Sequence, residues 1–202
     1  MSTPYPSEPW DLRGRLDLSL FLVPAADLPD DLPDGWRAVR LARWAVVATA
    51  WVRYEPPGVL SYREVMAVVL ARRGARVRPT IVRIWVDSEA SLAGGRALWG
   101  IPKQLASFDF TGDARAARDD DGRITAGTVR DRLRLPGRWP VRFSIVQQLD
   151  DAPTTSPVRA RGGLTVTTTR LAAAPAGPLA FLAGHRPWLS LTLRDFVMTF
   201  GR

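Results

Sequence analysis

The chain has 202 residues, 46% of them hydrophobic, enough to bury a core and to form one compact domain spanning residues 1–202. It has no cysteine and a single histidine, His185, which excludes disulfides, thiolate metal sites and a cysteine nucleophile and leaves imidazole-based metal centres without a ligand set. A formal net charge of +8 invites a nucleic-acid partner, but the arginines stand singly or in pairs, with no run, RNP-like aromatic motif or helix-turn-helix pattern, so none is expected.

The opening stretch, MSTPYPSEPWDLRGR, has neither the basic nor the apolar region of a secretory signal, and the expected location is cytoplasmic. In RLDLSLFLV, Leu16, Leu18, Leu20 and Leu22 fall on one face of a strand and Asp17 and Ser19 on the other. Alternation and β-branched content predict further strands over Arg37–Arg53, Tyr62–Arg72, Thr80–Val86, Ala106–Phe110, Arg123–Leu135, Val141–Gln148, Gly163–Arg170 and Leu189–Phe200. The longest apolar stretch, Trp44–Val52, is too short to cross a bilayer. PDDLPDG, EPPG, DDDG and DDAPTTSP separate the strands as turns, the last with the composition of a linker. One helix is predicted from an N-cap at Asp87 or Ser88 to Gly100, with Pro102 just beyond, and a second short one over residues 177–184. The resulting class is α+β, predominantly antiparallel β with one or two short helices.

GRALWGIPKQLASF, residues 95–108, holds the only lysine; all the other basic residues of the 28 are arginine. Lys103 follows the predicted helix in a segment that is otherwise apolar. Burial there would lower its pKa and free an amine, while the negative end of the helix dipole would favour the ammonium. Trp99 and Ile101 are core residues by pattern and, beside the lysine, an apolar wall that would desolvate it. Arg96 reads as structural, pairing with a carboxylate or a carbonyl.

GRALWGIPKQLA resembles the lysine-bearing motif of the acetoacetate decarboxylase family, Gly-Arg-x-Leu-x-x-x-Pro-Lys-Lys-Leu. GVLSYREVMAVV, residues 58–69, is similar to the same family's Gly-x-x-x-Tyr-x-Glu segment, and its spacing to the lysine matches without a gap. TRLAAAPAGPLAFLAG resembles, more loosely, the family's late short helix. The resemblance implies a barrel-containing, acetoacetate-decarboxylase-like fold and a homo-oligomer. It makes Lys103 the Schiff-base lysine, Glu64 the active-site glutamate, and Arg15, with Arg13 as competitor, the arginine that receives a substrate carboxylate. Trp99, Ile101 and Gln104 complete the implied substrate pocket. Two positions depart from the family pattern: Gln104 replaces the second lysine, and Thr49 stands where the decarboxylases carry a further acid.

A neutral amine adds to a ketone and loses water to form an iminium, which accepts the electrons of a breaking C–C bond; a guanidinium cannot. The resemblance therefore implies Schiff-base lyase chemistry on a small or medium keto acid, decarboxylase-like and without metal or organic cofactor. An aldolase or dehydratase using the same lysine, and a non-catalytic member that binds a carboxylated ligand, are the alternatives.

Overall fold

The computed structural model describes residues 3–202. In chain order the strands are β1 (Trp10–Pro24), the short β2 (Arg37–Ala38) and β3 (Arg40–Leu41), β4 (Trp44–Tyr54), β5 (Arg63–Arg73) and β6 (Arg76–Val86). Helix α1 (Glu89–Trp99) follows, then β7 (Lys103–Leu105), β8 (Ser107–Thr111), β9 (Ala114–Asp119), β10 (Gly122–Arg134), β11 (Trp139–Leu149), β12 (Ala152–Ala173) and β13 (Leu189–Phe200). All join one sheet in the order β7-β6-β5-β4-β1-β13-β12-β10-β9-β8; β11 also pairs with β12, β2 with β5 and β3 with β4. The ladders are antiparallel except the short parallel one between β6 and β7, which α1 connects. The predicted α+β, mainly antiparallel class is the one observed.

The long strand β12 gives the sheet its shape. One of its edges carries β13; the other carries β11 as far as Gly162 and β10 from Thr165 onward. The sheet forks at Gly162–Gly163, where a Cβ on Gly162 would sit 2.7 Å from the Arg194 carbonyl oxygen, so the close approach of β13 demands glycine there. One prong, β11, covers the sheet face that carries Leu12, Ala50 and Ile84. The other, β8 to β10, covers the opposite face with Phe21, Val47 and Trp51 and builds a second core.

Among the described residues no strand ladder closes the expected barrel. β11 instead meets β6 through one side chain: the buried Gln147 accepts from the Ile81 N–H at 2.8 Å and the Thr80 hydroxyl at 2.7 Å, and donates to the Ile81 carbonyl at 3.0 Å. An amide side chain has one acceptor and two donors, so it can stand in for a strand rung where the ladder ends.

Local signals account for the rest. Ser88 caps α1 by accepting from Ser91 N, and Gly100 ends it in the left-handed conformation at φ 63°. The second helix shrinks to a 3-10 turn, Ala180–Leu182, because Gly177, Pro178 and Gly184 leave too few residues to propagate a helix; Leu179 and Leu182 are buried in the second core. The single strand predicted over Arg37–Arg53 is interrupted at Val39, between β2 and β3, and turned at Ala42, at φ 53°, between β3 and β4. DDAPTTSP is no linker: only Asp150 and Asp151 turn the chain, and β12 begins at Ala152.

Replacing Gln147 with leucine leaves buried groups of β6 without partners. At ~1–3 kcal/mol per buried group left unpaired, the variant is expected to lose about 3 kcal/mol of unfolding free energy, read as a lower urea midpoint at unchanged slope.

Candidate active site

Lys103 opens β7 beside Ile84 of β6, and Glu64, the second residue of β5, lies beside Val52 of β4. Their strands flank β6, so two residues 39 positions apart in sequence meet inside the first core. Lys103 Nζ lies 3.1 Å from Glu64 Oε2, with both side chains almost fully buried. Nζ also donates to Ser91 Oγ at 2.8 Å and to the Tyr62 hydroxyl at 3.4 Å. The other carboxylate oxygen of Glu64 accepts from Tyr54 at 3.2 Å, and the rings of Tyr54 and Tyr62 stack at 4.4 Å. Arg63, next to Glu64 in sequence, points away and pairs with Asp87 at 2.7 Å, leaving the carboxylate to the lysine.

Helix α1 is shaped to admit the lysine. A Cβ on Gly95 would lie 2.7 Å from Lys103 Cδ, and one on Gly94 2.5 Å from the Trp10 ring. The Gly94–Gly95 pair, costly in a helix interior, is what lets the side chain and the indole lie against the helix backbone. Arg96 donates to the Lys103 carbonyl at 2.8 Å and so fixes the start of β7. Trp99 stands edge-on to Trp10 and Phe200 at 4.7 and 4.5 Å and donates to Glu8.

These groups form the polar end of a cavity of about 490 Å³ whose remaining lining is apolar. Trp99 and Ile101 line it, as expected. Gln104 does not: it is exposed and faces a separate surface hollow with Arg96 and Pro102. Arg15 does not either. Leu16, Leu18 and Leu20 face the cavity, so Arg15 emerges on the other side of β1, bonded to Asp17 at 2.9 Å and to Asp131 at 3.5 Å; its competitor Arg13 is exposed. Thr49 lies buried between Val47 and Trp51, residues of the second core, so an acid at that position would not reach the lysine. His185 sits in the turn after Ala180–Leu182. Sequence reasoning missed Ser91 and Tyr54, and took no role from Tyr62. A serine one helical turn before Gly95 and a tyrosine ending the strand opposite Glu64 were the available signals.

The electrostatics differ from the simple desolvation picture. Burial is the largest influence on Lys103 and pulls its pKa down, but the Glu64 carboxylate, followed by Tyr62, pushes it up, and the net value lies above that of an ordinary lysine. Burial likewise raises Tyr62 to about 12, against the lowering effect of Lys103, and, with Glu64, holds Tyr54 well above the usual phenol range. Lys103 therefore rests as an ammonium paired with a carboxylate. The helix end favours the same form.

A sequence profile of the acetoacetate decarboxylase family matches residues 25–136, just over half of the chain. The chain belongs to that family. Comparison with curated proteins finds no match. Among solved structures, an acetoacetate decarboxylase from Legionella pneumophila is similar at a TM-score of 0.71 and 18% identity, over 99% of this chain and 89% of that one. The enduracididine biosynthesis enzyme MppR complexed with pyruvate is similar at 0.72 and 16%, over 100% and 92%. An acetoacetate decarboxylase-like enzyme from Sphingomonas wittichii RW1 follows at 0.64 and 15%, over 97% and 92%. At these identities the likeness is one of fold, and it extends over nearly the whole chain.

Two variants probe the pair. Glu64→Gln removes the main raising influence and leaves burial, so the Lys103 pKa is expected to drop below the ordinary lysine value of ~10.4; with lysine labelled at 15Nζ, one resonance reports the titration. In the parent protein the pair's stabilisation is complete below the unfolded-state lysine pKa and is lost as pH rises through the higher folded value. Gly95→Ala is expected to keep the helix, whose propensity it improves, yet to displace the amine and slow its reaction with a carbonyl by roughly 100-fold.

Proposed function

We propose that the protein is a Schiff-base lyase acting on a keto acid through Lys103, with decarboxylation as the reaction. The observation that carries this reading is the buried Lys103–Glu64 contact at 3.1 Å in a chain that holds no other lysine. Membership of the acetoacetate decarboxylase family supports it.

The resting ammonium must first lose a proton, and Glu64 Oε2 is the base within reach. Proton transfer leaves a neutral amine beside a neutral carboxylic acid, and the amine then adds to the substrate carbonyl carbon. Glu64 returns the proton to the departing hydroxyl, which leaves as water. The product is an iminium whose positive nitrogen again faces a carboxylate, so the pair that holds the ammonium at rest is complementary to the charge that forms. In a 3-oxo acid the electrons of the bond to the carboxylate flow into the iminium, carbon dioxide departs and a neutral enamine remains. Protonation at carbon, with Tyr62 and Glu64 nearby to move the proton, and hydrolysis return the lysine and a ketone. Ser91 orients the amine by accepting one of its hydrogens.

Aldol or dehydratase chemistry at the same lysine is the second reading. It draws on the similarity in fold to MppR, which has been described with pyruvate and with the condensation product of pyruvate and imidazole 4-carboxaldehyde.

Borohydride trapping tests the proposal. Protein incubated with acetoacetate or pyruvate and then reduced is expected to gain one adduct on Lys103, absent in Lys103→Arg. With acetoacetate, an adduct that has lost carbon dioxide supports decarboxylation, and one that keeps the carboxylate supports the second reading; a pyruvate adduct, whose carboxylate sits on the imine carbon, reports imine formation alone. Because the resting pKa is raised, the trapping rate is expected to climb with pH through the neutral and mildly alkaline range, as the free amine becomes more abundant. Folded protein that traps no keto acid overturns both readings.

A further inference from the structure

The cavity is far longer than a three- or four-carbon keto acid. The pairing register of β1, β4, β5 and β6 stacks its wall in rungs. Leu16, Val52, Glu64 and Val86 form the first. Leu18, Ala50, Met66 and Ile84 form the second, with Lys103 beside Ile84. Leu20, Ala48, Val68 and Ile81 form the third; the paired Leu22 and Val46, with the paired Leu70 and Pro79 just past the end of the β4–β5 ladder, form the fourth. From Glu64 to Leu70 along β5 the wall is roughly 20 Å long, at ~3.3 Å per residue.

Exposure rises along this wall. In the first rung Glu64 is 2% exposed beside the buried Val52 and Val86, with Leu16 half-buried; in the fourth the lining residues Val46, Leu70 and Pro79 are all half-buried and the neighbouring Leu22 reaches 37%. Phe143 of β11, which also lines the cavity, is 43% exposed. The ion pair thus sits at the closed end and the mouth lies at the fourth rung. The middle of the bore stays unfilled because alanines at 48 and 50 stand opposite the leucines of β1, and Leu18, Leu20, Met66 and Val68 remain half-buried although they point inward.

Chemistry is confined to the closed end. Among the lining residues the titratable groups are Tyr54, Tyr62, Glu64 and Lys103 alone, and no arginine reaches the cavity. A small, doubly polar keto acid would leave the outer, apolar rungs wet. A molecule with an oxo group at one end and a hydrocarbon arm would fill the bore and match its polarity along its length.

Resting on the Schiff-base reading above, we infer that the substrate class is an oxo compound with a long, unbranched hydrocarbon arm, such as a medium- or long-chain 3-oxo acid, entering carbonyl first with its arm lying along the second to fourth rungs. With this class the same balanced reaction converts a 3-oxo acid into a methyl ketone and carbon dioxide.

The test uses straight-chain methyl ketones from butanone to 2-tridecanone as trapping probes, and the matching 1-alkanols, which have no carbonyl, as competitors and in direct calorimetric binding. The half-saturating ketone concentration is expected to fall about fourfold per added methylene, the equivalent of ~0.8 kcal/mol each, until the arm reaches the mouth, and then to level off. Ala48→Phe, placed in the third rung, is expected to bring that levelling to shorter chains. Half-saturation that does not change with chain length, in protein that traps acetoacetate or pyruvate, overturns this inference and leaves the Schiff-base reading standing. Chain-length-dependent alkanol binding without trapping of any ketone overturns the Schiff-base reading and supports the bore as a hydrocarbon site. Alkanols that neither bind nor compete overturn the inference outright.

Discussion

One buried ion pair organises this molecule. Placing Lys103 and Glu64 out of water carries a desolvation cost that their attraction offsets only when the remaining hydrogen-bonding capacity is also met. Each group has such partners: Ser91 and Tyr62 for the ammonium, Tyr54 for the second carboxylate oxygen. Removing either charge leaves the other stranded in an apolar enclosure. Both halves of the site are therefore held by one interaction, and the surrounding architecture can be understood as what keeps water and competing charges away from it.

The fold meets that demand with two devices. The fork at Gly162–Gly163 sends β11 over one face and β8 to β10 over the other, so the central strands bury both faces and the charged residues of the outer ones stay outside the bore. The Gln147 amide then joins β11 to β6 where no ladder forms. A side-chain rung can close the wall at one height and leave it parted above, which suits a cavity sealed at the ion pair and open near Phe143.

Much of this was legible in the sequence, and the failures have definite causes. Period-2 alternation gave the faces of β1, and local capping signals gave α1 with both ends, since each depends on neighbouring residues. The GRALWGIPKQ motif pointed to the lysine. What could not be read was where β12 begins, because prolines in DDAPTTSP resemble a turn yet are accepted in the half of β12 that pairs with β11 near the sheet's margin. The role implied for Arg15 conflicted with a pattern already visible: if Leu16, Leu18 and Leu20 face the cavity, then Arg15, on the side of Asp17, does not. A motif carries residue types across a family, whereas alternation states which side of the wall each one occupies, and at Arg15, Gln104 and Thr49 the second kind of evidence outweighs the first.

The pair also sets the character of the chemistry the site can support. A second cation beside the lysine would free the amine before substrate arrives, but position 104 faces outward, and the nearest charge is a carboxylate that stabilises the ammonium. In the proposed reaction the amine is released through proton transfer to Glu64, a step made easier in a dry cavity because a neutral pair is penalised less by burial than a charged one. A hydrocarbon arm filling the bore would exclude water at the moment of transfer. Apolar contact far from the carbonyl would then act on the reaction as well as on affinity, by shifting the buried pair toward the form in which lysine is a nucleophile.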